Sequence, residues 1–533
     1  MAGSEGITDE KRHYKASIVW TVAGISWGAI SYAYAGSIIG TTLDAHMLKF
    51  AAGQPSFTEY MHLATNPNAE GLIGTVTGLF YAGGVFGCIL NAWMADRFGR
   101  KWTVITASII LIIATACLAG SVNIAMFIVF RFFVGLGAYM LYLSVPLWIT
   151  ELVPPKGRSI LAGISGLFGV VGYITAAYVG VGFYYYKSTG SSQWRAPLAL
   201  GCFPPLVLLL LMPWLPESPR WLLSKDRSAQ AWDIVRELHT SDDDPAHEYA
   251  AGEFYQMKSQ HELEQHLDGS WLEIARRPSY RKRALIAFSL PVILYSTGNL
   301  VITTYAASIF GELGYNSGQS LNLLAGTYLA AITGNFISLT YVDRMPRNVI
   351  FAVGVLAATV VLSIETALVA TCLASDNHAG LSAAVAFLFI FLFVFNLFLE
   401  GPSWYYASEI FPTHLRAKGM TIAVIGFCLV DILWLEVAPT AIAKIGWKYY
   451  LVFICLSVFG AAICYLTFPN TLQKPLEEVA RLFGDDDLVA IYQQDIEAEH
   501  EKHEAEAGAE QHEHVPSVPR PGGPGADINP GMP

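Results

Sequence analysis

The chain has 533 residues, 53% of them hydrophobic and only 14% charged, with a mean hydropathy of +0.43. That balance excludes an ordinary water-soluble globule. The net charge of −11 comes largely from the C-terminal tail and says nothing about the charge of a ligand.

A membrane-crossing helix needs about 20 mainly apolar residues. Twelve such runs are predicted, at 17–42, 71–94, 102–121, 123–148, 159–184, 196–215, 284–311, 320–341, 349–372, 381–408, 418–443 and 447–468. They lack the short alternating pattern of barrel strands, so the expected fold class is an all-α membrane protein of twelve transmembrane helices. Residues 1–16 mix acids with bases, unlike a signal peptide, and form an N-tail. A charged linker at 216–283 separates six-helix bundles at 17–215 and 284–468. The tail at 469–533 is acidic and then rich in proline and glycine, so its end should be disordered. Its histidines, 500, 503, 512 and 514, read as part of a solvated charged tail. With both termini cytoplasmic, that side carries 26 of the 32 Lys and Arg, against five outside and Arg131 within a span. This is a positive-inside pattern. The seven cysteines have neither disulfide nor metal-site spacing, and there is no N-x-S/T sequon.

Short charged turns recur. "DRFGR" at 96–100 is echoed by "DRMPR" at 343–347, 247 positions later. "ELVPPKGR" at 151–158 is echoed by "EIFPTHLR" at 409–416, and "PESPR" at 216–220 more faintly by "PNTLQ" at 469–473. Each follows span two, four or six of its half, so the chain reads as a tandem duplication of a six-helix bundle. Positive charge alone would explain Arg97 and Arg100 as topology signals. The acids Asp96, Glu151, Asp343 and Glu409, recurring in register, point instead to ion pairs that clamp the two bundles together at the cytoplasmic side.

These motifs, with "RFFVGLGAYMLYLSVPLWITELVPPKGRS", "PESPRWLL" and "WYYASEIFPTHLRAKGM", resemble the sugar porter family of the major facilitator superfamily, over residues 17 to about 480. "SEIFPTHLRAKGM" most resembles fungal members. The resemblance implies an inner charge network of Arg97, Arg100, Glu151, Arg158, Glu217, Arg220, Asp343, Arg344, Glu409 and Arg416. It also puts Trp404 beside the sugar. There are departures too. Tyr34 stands where proton-coupled members carry Asp, Gly166 and Leu294–Tyr295 where members carry Gln, and Ala331 where Asn is usual. Residues 44–52, "DAHMLKFAA", read as an insert that protrudes on the outer side.

Polar groups at lipid depth call for a cavity or a partner. Ser296, Asn299 and Thr303 fall on one face of a continuous helix. Asn396 and Glu400 lie four apart before the Gly401–Pro402 break, and Asp431 lies about 20 Å along its span at 1.5 Å per residue. Trp404 and Tyr405 offer rings on which a sugar face can stack. The other reading is that the hydroxyls bond their own helix and Asn396 ties two helices. Glu436 reads as a packing or rim residue, and Arg131 as a donor to backbone carbonyls. Ser296, Asn299, Thr303, Asn396, Glu400 and Trp404 are therefore the candidate substrate-binding residues, with Asp431 and Glu400 as candidates for proton coupling.

The expected function is secondary transport of a sugar or related polyhydroxylated solute by alternating access, with or without protons, at a plasma membrane. The alternative is a nutrient sensor that keeps the transporter fold and moves nothing. No ATP-binding loop, paired catalytic acids or metal-ligand cluster is present, so neither a pump nor an enzyme is expected. The expected partners are the solute, protons and the lipid bilayer. No cofactor, metal or nucleic acid is expected, and the monomer should be the functional form.

Overall fold

Glycine spacing explains how the spans come together. In the computed structural model, spans 2 and 4 touch backbone to backbone: a Cβ on Gly83 would lie 1.9 Å from the Phe132 carbonyl, and one on Gly135 1.8 Å from the Phe80 carbonyl. Lipid supplies no hydrophobic drive between helices, so close approach over small residues and the dispersion contact it allows hold them together. The structure describes residues 16–43, 55–63, 66–154, 158–186, 191–240, 247–264, 269–341, 344–373, 377–472, 474 and 476–485. The insert at 44–52 and the tail beyond 485 lie outside them.

Spans 1 to 6 are Ala16–Leu43, Ala69–Phe98, Arg100–Ala119, Ile124–Leu152, Arg158–Tyr185 and Ser192–Trp214. Spans 8, 9, 11 and 12 are Ser317–Tyr341, Arg347–Cys372, Arg416–Ile445 and Tyr449–Thr467. Spans 7 (278–312) and 10 (His378–Glu409) are interrupted helices. The twelve crossings form two six-helix bundles. In the first, span 2 packs on 4, span 1 on 5 and span 3 on 4; in the second, span 9 packs on 10 and 12, and span 7 on 11. The bundles meet along two seams, span 2 on span 11 and span 5 on span 8.

The linker folds into short helices, Pro219–Leu223, Ser228–His239, Glu248–Glu264 and Trp271–Arg276. Leu222, Leu223, Ala231, Val235, Ala250 and Met257 form a small apolar core there, with Trp232 against Phe254 at 5.4 Å. The chain divides after Gln473; the second unit, Lys474–Pro533, contains the helix Leu476–Phe483.

Candidate functional site

Two breaks in helical geometry build the site. Span 7 stops at Tyr295 and restarts at Asn299 after Gly298, whose φ of +89° is a left-handed conformation natural to glycine. Span 10 widens into a π-helical turn at Asn396–Glu400 just before Gly401 and Pro402. Such turns in α-helices cluster at functional positions, because the extra residue re-aims neighbouring side chains. Between the two seams these breaks leave a cavity of about 350 Å³ lined from both bundles.

Rings dominate its wall. The Tyr32 ring meets Tyr142 edge-on at 4.8 Å, and Tyr142 meets Trp404 at 5.8 Å. Phe427 bridges Trp404 at 6.0 Å and Tyr295 at 4.5 Å. Tyr173 stacks on Tyr328 at 5.6 Å across the span 5–span 8 seam. Among these rings lies one carboxylate: the Tyr295 hydroxyl donates to Glu400 Oε2 at 2.7 Å, and Trp404 Nε1 lies 3.5 Å from Oε1. Two further polar groups line the cavity with no partner among the described residues, Ser37 Oγ and Asn299 Oδ1. A buried polar group left unmet costs about 1–3 kcal/mol, so an arriving solute that bonds them recovers that cost.

Asn299, Thr303, Asn396, Glu400 and Trp404 all line this cavity. Thr303 donates to the Asn299 carbonyl of its own helix at 3.0 Å, and Asn396 ties span 8 to span 10 by accepting from Asn335 at 3.1 Å. Ser296 does not belong with them. Its hydroxyl donates to the Val292 carbonyl and accepts from Trp434 Nε1, because the break at Gly298 ends the continuous face on which it was expected. Asp431 is fully buried but is not part of the cavity wall. It lies in span 11, which packs on span 2, and within electrostatic range of Tyr81, Tyr139 and Glu400. Tyr405 is exposed and also lies off the wall. Tyr34 donates to the Pro197 carbonyl, tying span 1 to span 6. Arg131 donates to the Ala35 carbonyl at 2.8 Å with its guanidinium 4.1 Å from the Phe80 ring centre. Glu436 is exposed, and its backbone packs against Gly74.

At the linker side the repeated motifs make one arrangement twice. Arg100 pairs with Glu151 at 2.7 Å, and Arg347 with Glu409 through two bonds of 2.8 and 3.2 Å. Arg347, the last residue of "DRMPR", is thus the counterpart of Arg100, while Arg344 is exposed to solvent. The charge network expected at Arg344 is formed by Arg347 instead, because only the first residue of span 9 points back toward span 10. Each pair lies within one bundle.

Glu217 and Asn470, the second residues of "PESPR" and "PNTLQ", do matching work as helix caps. Glu217 Oε1 accepts from the backbone amides of Arg100 and Lys101, and Asn470 Oδ1 from that of Arg347. An anion at a helix N-terminus satisfies amides that have no intrahelical partner. Burial raises the Glu217 carboxyl above the ordinary carboxylate range, opposed by the amides of Ser218, Lys101 and Arg100. Gly99, at φ +96°, leaves room for it: a Cβ there would sit 2.4 Å from Glu217 Oε2. Asp96 is largely exposed and 4.0 Å from Arg100, and Arg97 lies over the Trp93 and Phe98 rings. Arg220 and Arg416 are half-buried. The side chains of Arg158 and Asp343 lie outside the described residues.

Sequence reasoning missed Ser37 and the tyrosines at 32, 142, 173 and 328. Tyrosine counts among the hydrophobic residues of a span, so its hydroxyl is easily overlooked; the density of tyrosine inside the spans is the available signal.

Two interrupted helices around a mid-span cavity, enclosed by duplicated six-helix bundles, define a secondary transporter. The model of the "Sugar (and other) transporter" family matches residues 21–483, and the chain belongs to that family. It is 32% identical over 422 residues to the MFS-type transporter criB of Aspergillus cristatus, covering 78% of this chain and 85% of the relative. It is 27% identical to the arabinose-proton symporter of Bacillus subtilis, over 78% of this chain and 87% of that one. The proton:xylose symporter XylE superposes with a TM-score of 0.71 at 21% identity, over 88% of this chain and all of that one. The relatives are transporters and not enzymes, and they give the sensor alternative no support.

Proposed function

We propose that the cavity carries a sugar or a related polyhydroxylated solute by alternating access, with the linker face cytoplasmic, at a plasma membrane and as a monomer. The observation that carries this reading is the pairing of ring faces with unmet polar atoms. The rings of Trp404, Tyr142 and Tyr32 suit the apolar face of a sugar, and Ser37 and Asn299 suit its hydroxyls. The names of the arabinose-proton and xylose symporters support the solute class. The excess of Lys and Arg on the linker side supports the orientation.

Proton coupling belongs to Glu400 first. It touches the cavity, and charge on a carboxylate enclosed by rings is costly unless a proton or a solute group meets it. Asp431, behind the wall, is the second carrier. Arg100–Glu151 and Arg347–Glu409 brace the linker-side ends of spans 3, 4, 9 and 10, so that each bundle rocks as a body.

The test is uptake by the purified protein in liposomes across a panel of hexoses, pentoses and polyols, at matched and opposed pH gradients. Saturable uptake of at least one of them is expected, driven by an inward proton gradient in wild type and no longer in Glu400→Gln. No uptake of any panel member would overturn the solute class. Gradient-driven uptake that survives in both Glu400→Gln and Asp431→Asn would overturn the coupling assignment.

A further inference from the structure

The cavity between the bundles has two unlike ends. At 1.5 Å per residue, Ser37 lies about 9 Å from the end of span 1 that is far from the linker. Asn299 follows the Gly298 break and opens the far segment of span 7. Each holds a buried oxygen with no partner among the described residues. On the same measure Trp404 lies about 8 Å, Gly166 about 12 Å, Tyr142 about 15 Å and Phe427 about 17 Å from the linker-side ends of their spans. The far half of the wall thus carries the unmet oxygens, and the linker-side half carries rings.

The polar groups among those rings are largely spent. The Asn396 amide donates to the Leu392 carbonyl and accepts from Asn335, and Glu400 accepts from Tyr295. What is left is space beside apolar faces. A Cβ on Gly166 would meet no atom within 4 Å. Trp404 meets Tyr142 of the other bundle at 5.8 Å and Phe427 at 6.0 Å, edge-on in both contacts. A bare sugar carries hydroxyls all round its ring. Turned into this half, they would give up water and find few partners beyond the Tyr142 hydroxyl, a cost that grows with each one left unmet. A flat aromatic ring has the opposite need, since its faces and edges match those of Trp, Tyr and Phe.

We propose that the solute is a glycoside with an aromatic aglycone, its sugar hydroxyls at Ser37 and Asn299 and its aryl ring over Gly166 against Trp404 and Tyr142. This narrows the sugar reading above, on which it rests. Tyr32, between the two ends, serves the sugar face, while Trp404 and Tyr142 serve the aryl ring. Because Trp404 and Tyr142 come from different bundles, the aryl ring touches both at once and favours the state in which they close around it. A cavity of about 350 Å³ falls within the range of about 300–1,000 Å³ that ligands of this size occupy.

The test is isothermal titration of the purified full-length protein in lipid nanodiscs with methyl, cyclohexyl and phenyl β-glycosides of glucose, galactose and xylose. For at least one of these sugars the phenyl glycoside should bind about tenfold more tightly than the methyl one, and about threefold more tightly than the cyclohexyl one. The second ratio separates ring stacking from apolar bulk. Trp404→Leu should bring that ratio to about one, since it keeps the bulk and removes the ring. Asn299→Ala should weaken all three glycosides of that sugar by a common factor and leave both ratios as they were. Should Trp404→Leu fail to fold, Tyr142→Leu and the wild-type ratios decide. Equal binding of methyl and phenyl glycosides, or of cyclohexyl and phenyl glycosides, would overturn the inference and leave the sugar reading standing. Binding of no glycoside in the panel would overturn the sugar reading, and the inference with it.

Discussion

Replacing Arg347 with alanine should be far more damaging than replacing Arg344, although the two lie three residues apart in one motif. The Arg347 side chain is 5% exposed and makes two bonds to Glu409. Removing one partner of a fully buried pair costs about 3–5 kcal/mol, because the other charge is left buried and unpaired. Glu409 is 30% exposed and keeps a 2.6 Å bond from Thr471, so the cost here falls to about 2–3 kcal/mol. For a folding unit the size of one bundle, that lowers the melting temperature by about 5–10 °C. Arg344→Ala, at an exposed position, should leave it within about 1 °C. The assay is thermal melting of purified protein, with Glu409→Ala and the double variant completing a cycle. Coupling of about 1–3 kcal/mol between Arg347 and Glu409 is expected. Equal losses in Arg344→Ala and Arg347→Ala, or strict additivity with Glu409→Ala, would refute the pairing.

Glu217→Ala should cost about 1 kcal/mol as a lost cap of span 3, and Gly99→Ala should be non-additive with it, since the new Cβ meets the same carboxylate. The raised Glu217 carboxyl also carries a pH signature. Between its unfolded and folded pKa values the folded state binds more protons, so this group's contribution to stability grows as pH falls and is lost as pH rises. Melting measured from neutral to mildly acidic pH should lose that component in Glu217→Gln. Ser37→Ala and Asn299→Ala should raise the KM for uptake while leaving the melting temperature unchanged or slightly higher, because each removes an unmet buried atom. A clear drop in melting temperature would mean that these atoms hold the fold.

Much of the architecture is written in simple physics. Twelve runs long enough for the bilayer, and charged turns repeated at near-equal offsets, were enough for two bundles. The faint echo of Glu217 in Asn470 proves to be one capping device used twice. Failures came where a helix is not regular. The Ser296 assignment follows a period that Gly298 breaks. Depth along its span, the ground for Asp431, does not give the direction a side chain faces, and its proton-carrying role is a proposal that the Asp431→Asn uptake assay tests. Arg344 and Arg347 are indistinguishable as charges in a turn; the helix start at Arg347 separates them. Ser37 and the cavity tyrosines were hidden because their polar atoms ride on residues that otherwise read as span.

The account turns on one claim, that solute crosses through the cavity between the bundles. Gly166 lines that cavity, and a Cβ placed on it meets no atom within 4 Å. Gly166→Trp should therefore fill the solute's space without straining the fold. Counterflow of a transported sugar in liposomes, compared between wild type and Gly166→Trp of equal melting temperature, tests it directly. Exchange in wild type and none in the filled variant is the predicted result. Equal exchange in both would contradict the claim.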